Sequence, residues 1–398
     1  MRKSISFLLV VLLFGVFSTL SFAAPKEIVI GGVFDITGAT GAVGAPYADA
    51  VRDYVKYVNE NGGVNGMQIK LLDTDYAYKI PQAVAAYKNL QGKAIAIQGW
   101  GTGDTEALSP MITKDKIPYM SASYSEHLTD PTITPYNFLI GVTYADQARV
   151  ALKFIKEQHT KSGKPGNPKV CFIYNDTGFG KSPFFTVEYQ GKKFAAADDY
   201  AKTIGVDVVD KEIVALNALE ATSQLLNMQK SGAEWAICQE TKAMTTILKD
   251  AKKLNLTTKF IALNWAMNKN FAAIAGDAAE GCYWTCPFAL WTDTSLPGVQ
   301  LMRKISEKYH PEIKDRIVCY TQGFAAMYVM VEALKVAKDY TGEGIKKALE
   351  SLKDLDTGGL TGKITFTDKS HKGANSLRIY QIQKGAFVPV SDYIEVAR

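Results

Sequence analysis

Glu27-Ile-Val-Ile-Gly-Gly-Val-Phe34 is a short, almost wholly apolar run, and it is followed by Ala48–Asn61, in which the period of the apolar residues changes. The first stretch reads as a strand, rich in Val and Ile and bounded by polar and glycine-containing segments. In the second, Val51, Tyr54, Val55 and Val58 fall at i, i+3, i+4 and i+7, one stripe of a helix, with Asn61-Gly62-Gly63 as its stop. Working outward, strand-like Gln68–Asp73, Ala94–Gln98 and Tyr119–Ser121 alternate with helix-like Pro81–Leu90 and Glu106–Asp115. Such alternation predicts a parallel sheet covered by helices on both faces.

The pattern restarts after Ser162–Pro168, a stretch rich in Pro, Gly and Lys. Strands are predicted at Lys169–Tyr174, Asp207–Ile213, Trp235–Cys238 and Lys259–Leu263, and helices at Pro183–Ile204, Ala218–Lys230 and Ala243–Leu254. Past Gly276 come a strand at Gly281–Phe288, helices at Gly298–Tyr309 and Thr321–Lys338, and Lys363–Thr367 with Ser376–Lys384 as a terminal hairpin. These are too few for a third domain and return to complete the first two units. The expected fold is α/β, two doubly wound lobes with parallel sheets joined by a hinge of several crossovers. Residues 25–142 with 280–362 would form the N-terminal lobe, and 143–279 with 363–398 the C-terminal lobe. A hinged cleft between such lobes is where ligands bind, outside the carboxyl ends of the strands.

The first 24 residues have the order of a secretory signal peptide: Arg2 and Lys3, an apolar run from Ile5 to about Phe17, then small residues ending at Ala23-Ala24. The apolar run is shorter than the roughly 20 residues of a membrane-spanning helix, so cleavage and an exported, periplasmic product are expected. No Cys lies near the junction to carry a lipid. Among the 398 residues, 45 Lys+Arg against 40 Asp+Glu give +5, or +3 without Arg2 and Lys3, with no long basic run to suggest a nucleic-acid partner. Composition of 47% hydrophobic and 21% charged residues excludes disorder and disulfide scaffolds. Of the five Cys, Cys282 and Cys286 would lie about 13 Å apart on an extended strand, too far for a bridge. All five read better as buried thiols. The four His are scattered, so no metal is expected.

Catalytic motifs are not met. The glycines of Gly38-Ala-Thr-Gly41-Ala-Val-Gly44 recur every third residue and do not match a dinucleotide loop. Gly178-Phe-Gly180-Lys181-Ser182 resembles the end of a phosphate loop, but Asn175 stands where its opening Gly is required. No nucleophile elbow and no zinc-protease motif is present. Instead, hydroxyls and glycines follow strands, in Thr102-Gly103-Asp104-Thr105 and in Ser121-Ala-Ser123-Tyr124-Ser125. At a helix N-terminus such groups suit a small anion such as a carboxylate, although each taken singly also serves as an N-cap.

A resemblance covers about Ile28 to Lys384. It rests on Ile30-Gly-Gly…Thr37-Gly38, Val58-Asn-Glu-Asn-Gly-Gly63-Val-Asn-Gly66, Asp73-Thr-Asp75…Pro81-Gln-Ala-Val84, Ile117-Pro-Tyr-Met-Ser121, Asn175-Asp-Thr-Gly-Phe-Gly180, Gly276-Asp-Ala-Ala-Glu-Gly281 and Tyr320…Gly323-Phe-Ala-Ala. In these the chain resembles the type I periplasmic solute-binding proteins of the leucine/isoleucine/valine-binding family, which feed ABC importers. The resemblance implies a monomeric binding protein, not an enzyme, with no cofactor, that closes over a small carboxylate-bearing ligand and presents it to a permease in the inner membrane. It implies that the ligand carboxylate is held by Thr102 and Ser125, that the Ser123 carbonyl accepts from an ammonium, and that Val43 flanks the ligand side chain.

The second lobe departs from the family. Phe179 replaces an aromatic hydroxyl, and Asn264 replaces the acid that pairs with the ligand ammonium. A buried ammonium without a carboxylate is costly, which favours an aromatic acid unless Glu240 supplies the charge. Trp100, Tyr124, Trp265 and Tyr320 would add aromatic lining, and the two Trp serve equally well as packing residues. Two rivals remain: a sensing module of the same fold for a signalling receptor, and an enzyme using the cleft.

Overall fold

The computed structural model describes residues 27–397; the leader expected over residues 1–24 lies outside them. In the first lobe β1 (Glu27–Phe34) leads through α1 (Gly41–Glu60), β2 (Gln68–Asp75), α2 (Ile80–Leu90), β3 (Ala96–Gln98) and α3 (Thr102–Asp115) to β4 (Tyr119–Met120) and β5 (Asn137–Phe138). The sheet order is β2-β1-β3-β4-β5, every pair parallel. Ile28, Ile30, Val33 and Phe34 are buried because helices cover both faces of β1.

The chain then crosses into α4 (Tyr144–Lys161), β6 (Lys169–Tyr174), α5 (Gly178–Lys181), β7 (Val187–Tyr189), β8 (Lys192–Phe194), α6 (Ala197–Thr203), β9 (Asp207–Ile213), α7 (Thr222–Ser231), β10 (Trp235–Gln239), α8 (Ala243–Lys253), β11 (Lys259–Ala262), α9 (Lys269–Ala275) and β12 (Tyr283–Cys286). It returns to the first lobe for α10 (Pro297–Tyr309), α11 (Val318–Val336) and α12 (Gly342–Glu350), and ends with β13 (Ser376–Gln383), β14 (Ala386–Pro389) and β15 (Ile394–Glu395) on the second sheet. That sheet runs β14-β13-β12-β11-β10-β6-β9, parallel from β12 to β9 and antiparallel at β13 and β14. The three crossings pair with one another, Leu139 with Lys372 and Phe288 with Thr361, which makes a multi-strand hinge.

Four readings of the sequence change. The return to the first lobe comes after Cys286 and not at residue 280, because β12 pairs with β11 and β13. The helix predicted over Pro183–Ile204 is broken by the β7–β8 hairpin, whose turn places Gln190 and Gly191 at φ 47° and 78°. The terminal hairpin is β13 with β14, turning at Lys384-Gly385, while Ile364 makes only an isolated bridge to Leu355. Helix α4, unassigned from the sequence, carries the stripe Ala148, Ala151, Leu152 and Ile155 and is capped by Thr143. All five Cys are buried and unbridged, and burial pushes the Cys282 thiol up to about 12. No helix among the described residues is long and apolar enough to cross a membrane.

Candidate ligand-binding site

The carboxyl ends of the two sheets face one another. On the first-lobe side, the turn after β1 is nailed by Asp35, whose carboxylate accepts from Gly38 N (2.7 Å), Thr40 N (2.7 Å) and Thr40 Oγ1 (2.6 Å). Thr40 Oγ1 in turn accepts from the Trp100 indole at 2.9 Å. Two residues on, Thr102 opens α3, and its Oγ1 lies 2.7 Å from Ser123 Oγ and 3.1 Å from Ser125 Oγ. Ser182 of the second lobe donates to Ser125 Oγ at 2.9 Å. Four hydroxyls thus form one buried, connected set at the head of a helix, with the loop after β4 supplying two of them.

On the second-lobe side, Asn175, Glu240 and Asn264 follow β6, β10 and β11. Cys238 is paired with Ala262, so Glu240 and Asn264 sit level two residues further on. Asn175 Nδ2 donates to Glu240 Oε2 at 3.2 Å, and Asn264 Oδ1 accepts from Gln322 Nε2 at 3.3 Å. Glu240 Oε1, Thr241 Oγ1 and Asn264 Nδ2 are buried without a hydrogen-bond partner among the described residues. Burial pushes the Glu240 carboxyl well above the usual carboxylate range.

Aromatic rings fill the space between. Trp265 meets Trp100 edge-on at 5.1 Å, stacks on Tyr124 at 5.7 Å and donates its indole N–H to Tyr144 Oη at 2.9 Å; Phe179 packs edge-on against Tyr144. Val43, Trp100, Phe179 and Trp265 wall a cavity of about 20 Å³ together with Thr40 and Thr241, room for about one water. The fold therefore brings together Val43, Trp100, Thr102, Ser123, Tyr124, Ser125, Phe179 and Trp265, with Glu240 and Asn264 at the adjoining strand ends. Tyr320 is elsewhere: its hydroxyl donates to Asp53 at 2.6 Å under the Arg316 guanidinium, between α1 and α11. Thr40, Tyr78, Tyr144 and Thr241 line the seam and were not singled out. A larger groove of about 690 Å³ lies at the amino ends of the second sheet, walled by Lys161, Lys164, Lys259 and Glu234, away from the switch-point end.

The β7–β8 hairpin straps the mouth of the seam. Tyr189 Oη donates to the Glu106 carbonyl (3.1 Å), Lys192 Nζ to Asp130 (2.8 Å), and the His127 ring packs 5.1 Å from Tyr189. The four His each face a different carboxylate, Glu106, Glu234, Asp53 and Glu350, and share no ligand set.

Below the hydroxyl set, Asp104 accepts from Tyr76 Oη (2.8 Å) and Gly101 N (3.1 Å), and burial raises it to about 7. The unfolded carboxyl titrates at 3.8, so across the window from about 4 to 7 the folded protein keeps a proton the unfolded chain has lost. Stability is therefore fullest below that window and falls as pH rises through it. Urea unfolding across this range is expected to show a slope that Asp104→Asn removes.

The model of a family described as periplasmic binding protein matches residues 27–386. A leucine-, isoleucine-, valine-, threonine- and alanine-binding protein of Pseudomonas aeruginosa is 22% identical over 383 residues, 93% of each chain. A branched-chain amino acid ABC transporter structure from Thermus thermophilus with bound valine is 28% identical, with a TM-score of 0.85 over 94% of this chain and 97% of that one. A fatty acid ABC transporter substrate-binding protein from Thermomonospora curvata, 21% identical with a TM-score of 0.79 over 93% of each chain, shares the fold.

Proposed function

The chain belongs to the periplasmic binding protein family, and on that premise we propose that it captures a small carboxylate-bearing ligand, hydrophobic or amino-acid-like, between its lobes and delivers it to an ABC permease. The observation that carries this reading is the buried hydroxyl set of Thr102, Ser123, Ser125 and Ser182, drawn from both lobes and set beside an aromatic wall. Hydroxyls at the head of α3 offer donors to an anion without a fixed charge, and the helix dipole favours it there. Val43, Trp100, Phe179 and Trp265 would take the apolar part. With room for about one water, the seam admits an amino acid only when the lobes part about the three-strand hinge. Export to the periplasm by the leader and action as a monomer belong to the same reading. Relatives and structural neighbours that bind branched-chain amino acids support it.

Whether the ligand carries an ammonium turns on Glu240. A ligand ammonium seated against this carboxyl would ionise it, whereas a simple aromatic acid would leave it protonated. With valine or leucine, calorimetry in buffers of different ionisation enthalpy is expected to show release of about one proton per ligand bound. Glu240→Gln is expected to abolish that release and weaken binding. Tight valine binding with no proton released and no effect of Glu240→Gln would remove Glu240 from the site. The second reading, a sensing module for a receptor, is separated from transport by uptake: a strain lacking the protein loses import in one case and signalling in the other.

A further inference from the structure

Apart from the hydroxyl set, three buried donors without an acceptor among the described residues belong to side chains that line a second cavity. Asn268 Nδ2, Trp291 Nε1 and Arg316 Nη2 each lack a hydrogen-bond partner among the described residues. All three residues line a cavity of about 50 Å³, together with Lys269, Asp315 and Trp284. Asn268 and Trp291 are 1% and 6% exposed, and the Arg316 side chain 8%. A buried donor left unmade costs about 1–3 kcal/mol, more when charged, so three in one small space call for an acceptor there.

Each donor is held in place by its other contacts. Asn268 caps α9 through Oδ1, which accepts from Phe271 N at 3.1 Å and leaves Nδ2 free. The Trp291 ring is gripped between the Arg303 guanidinium at 5.1 Å and the edge of Tyr320 at 6.4 Å. Arg316 donates from Nε to Ser306 Oγ at 3.0 Å and lies over the Tyr320 ring at 4.4 Å. Its Nη2 is 3.9 Å from Asp53 Oδ2, beyond hydrogen-bond reach, and that carboxylate already serves Tyr320 Oη and faces His310 Nε2 at 2.9 Å. Lys269 and Asp315 pair with each other and cancel. What remains is one guanidinium, an amide N–H and an indole N–H, with no acceptor among them. Three donors with no acceptor repel a metal ion and suit a small anion, the Arg316 charge being met only by Asp53 at 3.9 Å without a hydrogen bond.

We propose that this cavity is a second binding site, for a small monovalent anion of halide or formate size. Asn268 belongs to the second lobe, whereas Trp291 and Arg316 lie on the first-lobe side of the hinge crossing, so the anion would bridge the two sides and hold them together. It therefore favours the closed arrangement. That last consequence, a rise in affinity for the principal ligand with anion concentration, rests on the function proposed above; the site itself does not.

The test uses bromide and the mature protein without added principal ligand. An anomalous difference peak is expected within hydrogen-bond distance of Asn268 Nδ2, Trp291 Nε1 and Arg316 Nη2. Melting in bromide is expected to exceed melting in gluconate at equal ionic strength by about 1–3 °C at roughly ten times Kd. Asn268→Asp keeps the cap oxygen and adds a repelling charge, and Trp291→Phe keeps the ring and deletes the donor; both should lose the peak and the bromide increment. An ordered water in place of the peak, or variants that respond to bromide as the wild type does, would overturn the proposal. If either variant fails to fold, the wild-type anomalous map decides alone.

Discussion

Replacing Thr102 with valine is expected to weaken capture of a carboxylate ligand by roughly 10- to 100-fold, the equivalent of one hydrogen bond to a charged group at about 1.5–3 kcal/mol. The substitution keeps the shape and β-branching at the first position of α3 and deletes only Oγ1. Ser123 and Ser125 remain bonded to each other at 3.1 Å, and Ser125 keeps Ser182 at 2.9 Å. No buried hydroxyl is then stranded, so folding stability should move by under about 1 kcal/mol. The split between a large loss of affinity and a small loss of stability distinguishes a ligand contact from a packing residue. Calorimetric titration beside chemical denaturation measures both, and an affinity within about twofold of wild type would refute the assignment. Adding Ser125→Ala should deepen the loss by less than a second full factor, because the two hydroxyls belong to one connected set.

Much of this site was legible because local pattern and local structure agree. Strand β1 matches its prediction residue for residue, since an apolar run flanked by polar residues has few other ways to be buried. The hydroxyl loops were found because they follow strands whose ends the pattern marks. Three things were not readable in that way. The glycines at 38, 41 and 44 look like a loop, yet α1 begins at Gly41. Their role is close approach: a Cβ on Gly41 would lie 2.4 Å from Ile36 O, and one on Gly44 1.9 Å from Asp35 O. Tyr320 is expected from the sequence to add to the aromatic lining, but its hydroxyl finds Asp53, 267 positions away, a partner no local pattern reveals. The β7–β8 hairpin fails the helical reading for the opposite reason, since its only local mark is Gln190-Gly191 and its anchors, Glu106, His127 and Asp130, lie in the other lobe. Helix α4 is legible in the sequence: Ala148, Ala151, Leu152 and Ile155 carry the same spacing as the stripe of α1, and the helix begins with Tyr144, the partner of Trp265.

Asp35→Ala is expected to cost about 3–5 kcal/mol of folding stability, several times the effect of a typical surface change. Asp35 is fully buried and accepts three hydrogen bonds, from Gly38 N, Thr40 N and Thr40 Oγ1. Alanine leaves two backbone N–H groups and a hydroxyl without that acceptor, each carrying a desolvation cost of about 1–3 kcal/mol where it stays buried. The turn cannot easily move to find water, because Gly44 in the first turns of α1 already packs against the Asp35 carbonyl with no room for a Cβ. The damage should also reach the seam. Thr40 Oγ1 accepts from the Trp100 indole while donating to Asp35, so losing the carboxylate frees the hydroxyl to rotate and unfixes Trp100 against Trp265. Asp35→Asn keeps one acceptor oxygen and should fall between wild type and alanine. Urea midpoints report the stability, and near-ultraviolet circular dichroism of the Trp100–Trp265 pair reports the seam. A loss under about 1 kcal/mol with an unchanged tryptophan spectrum would mean that the turn after β1 is held by the glycine packing alone.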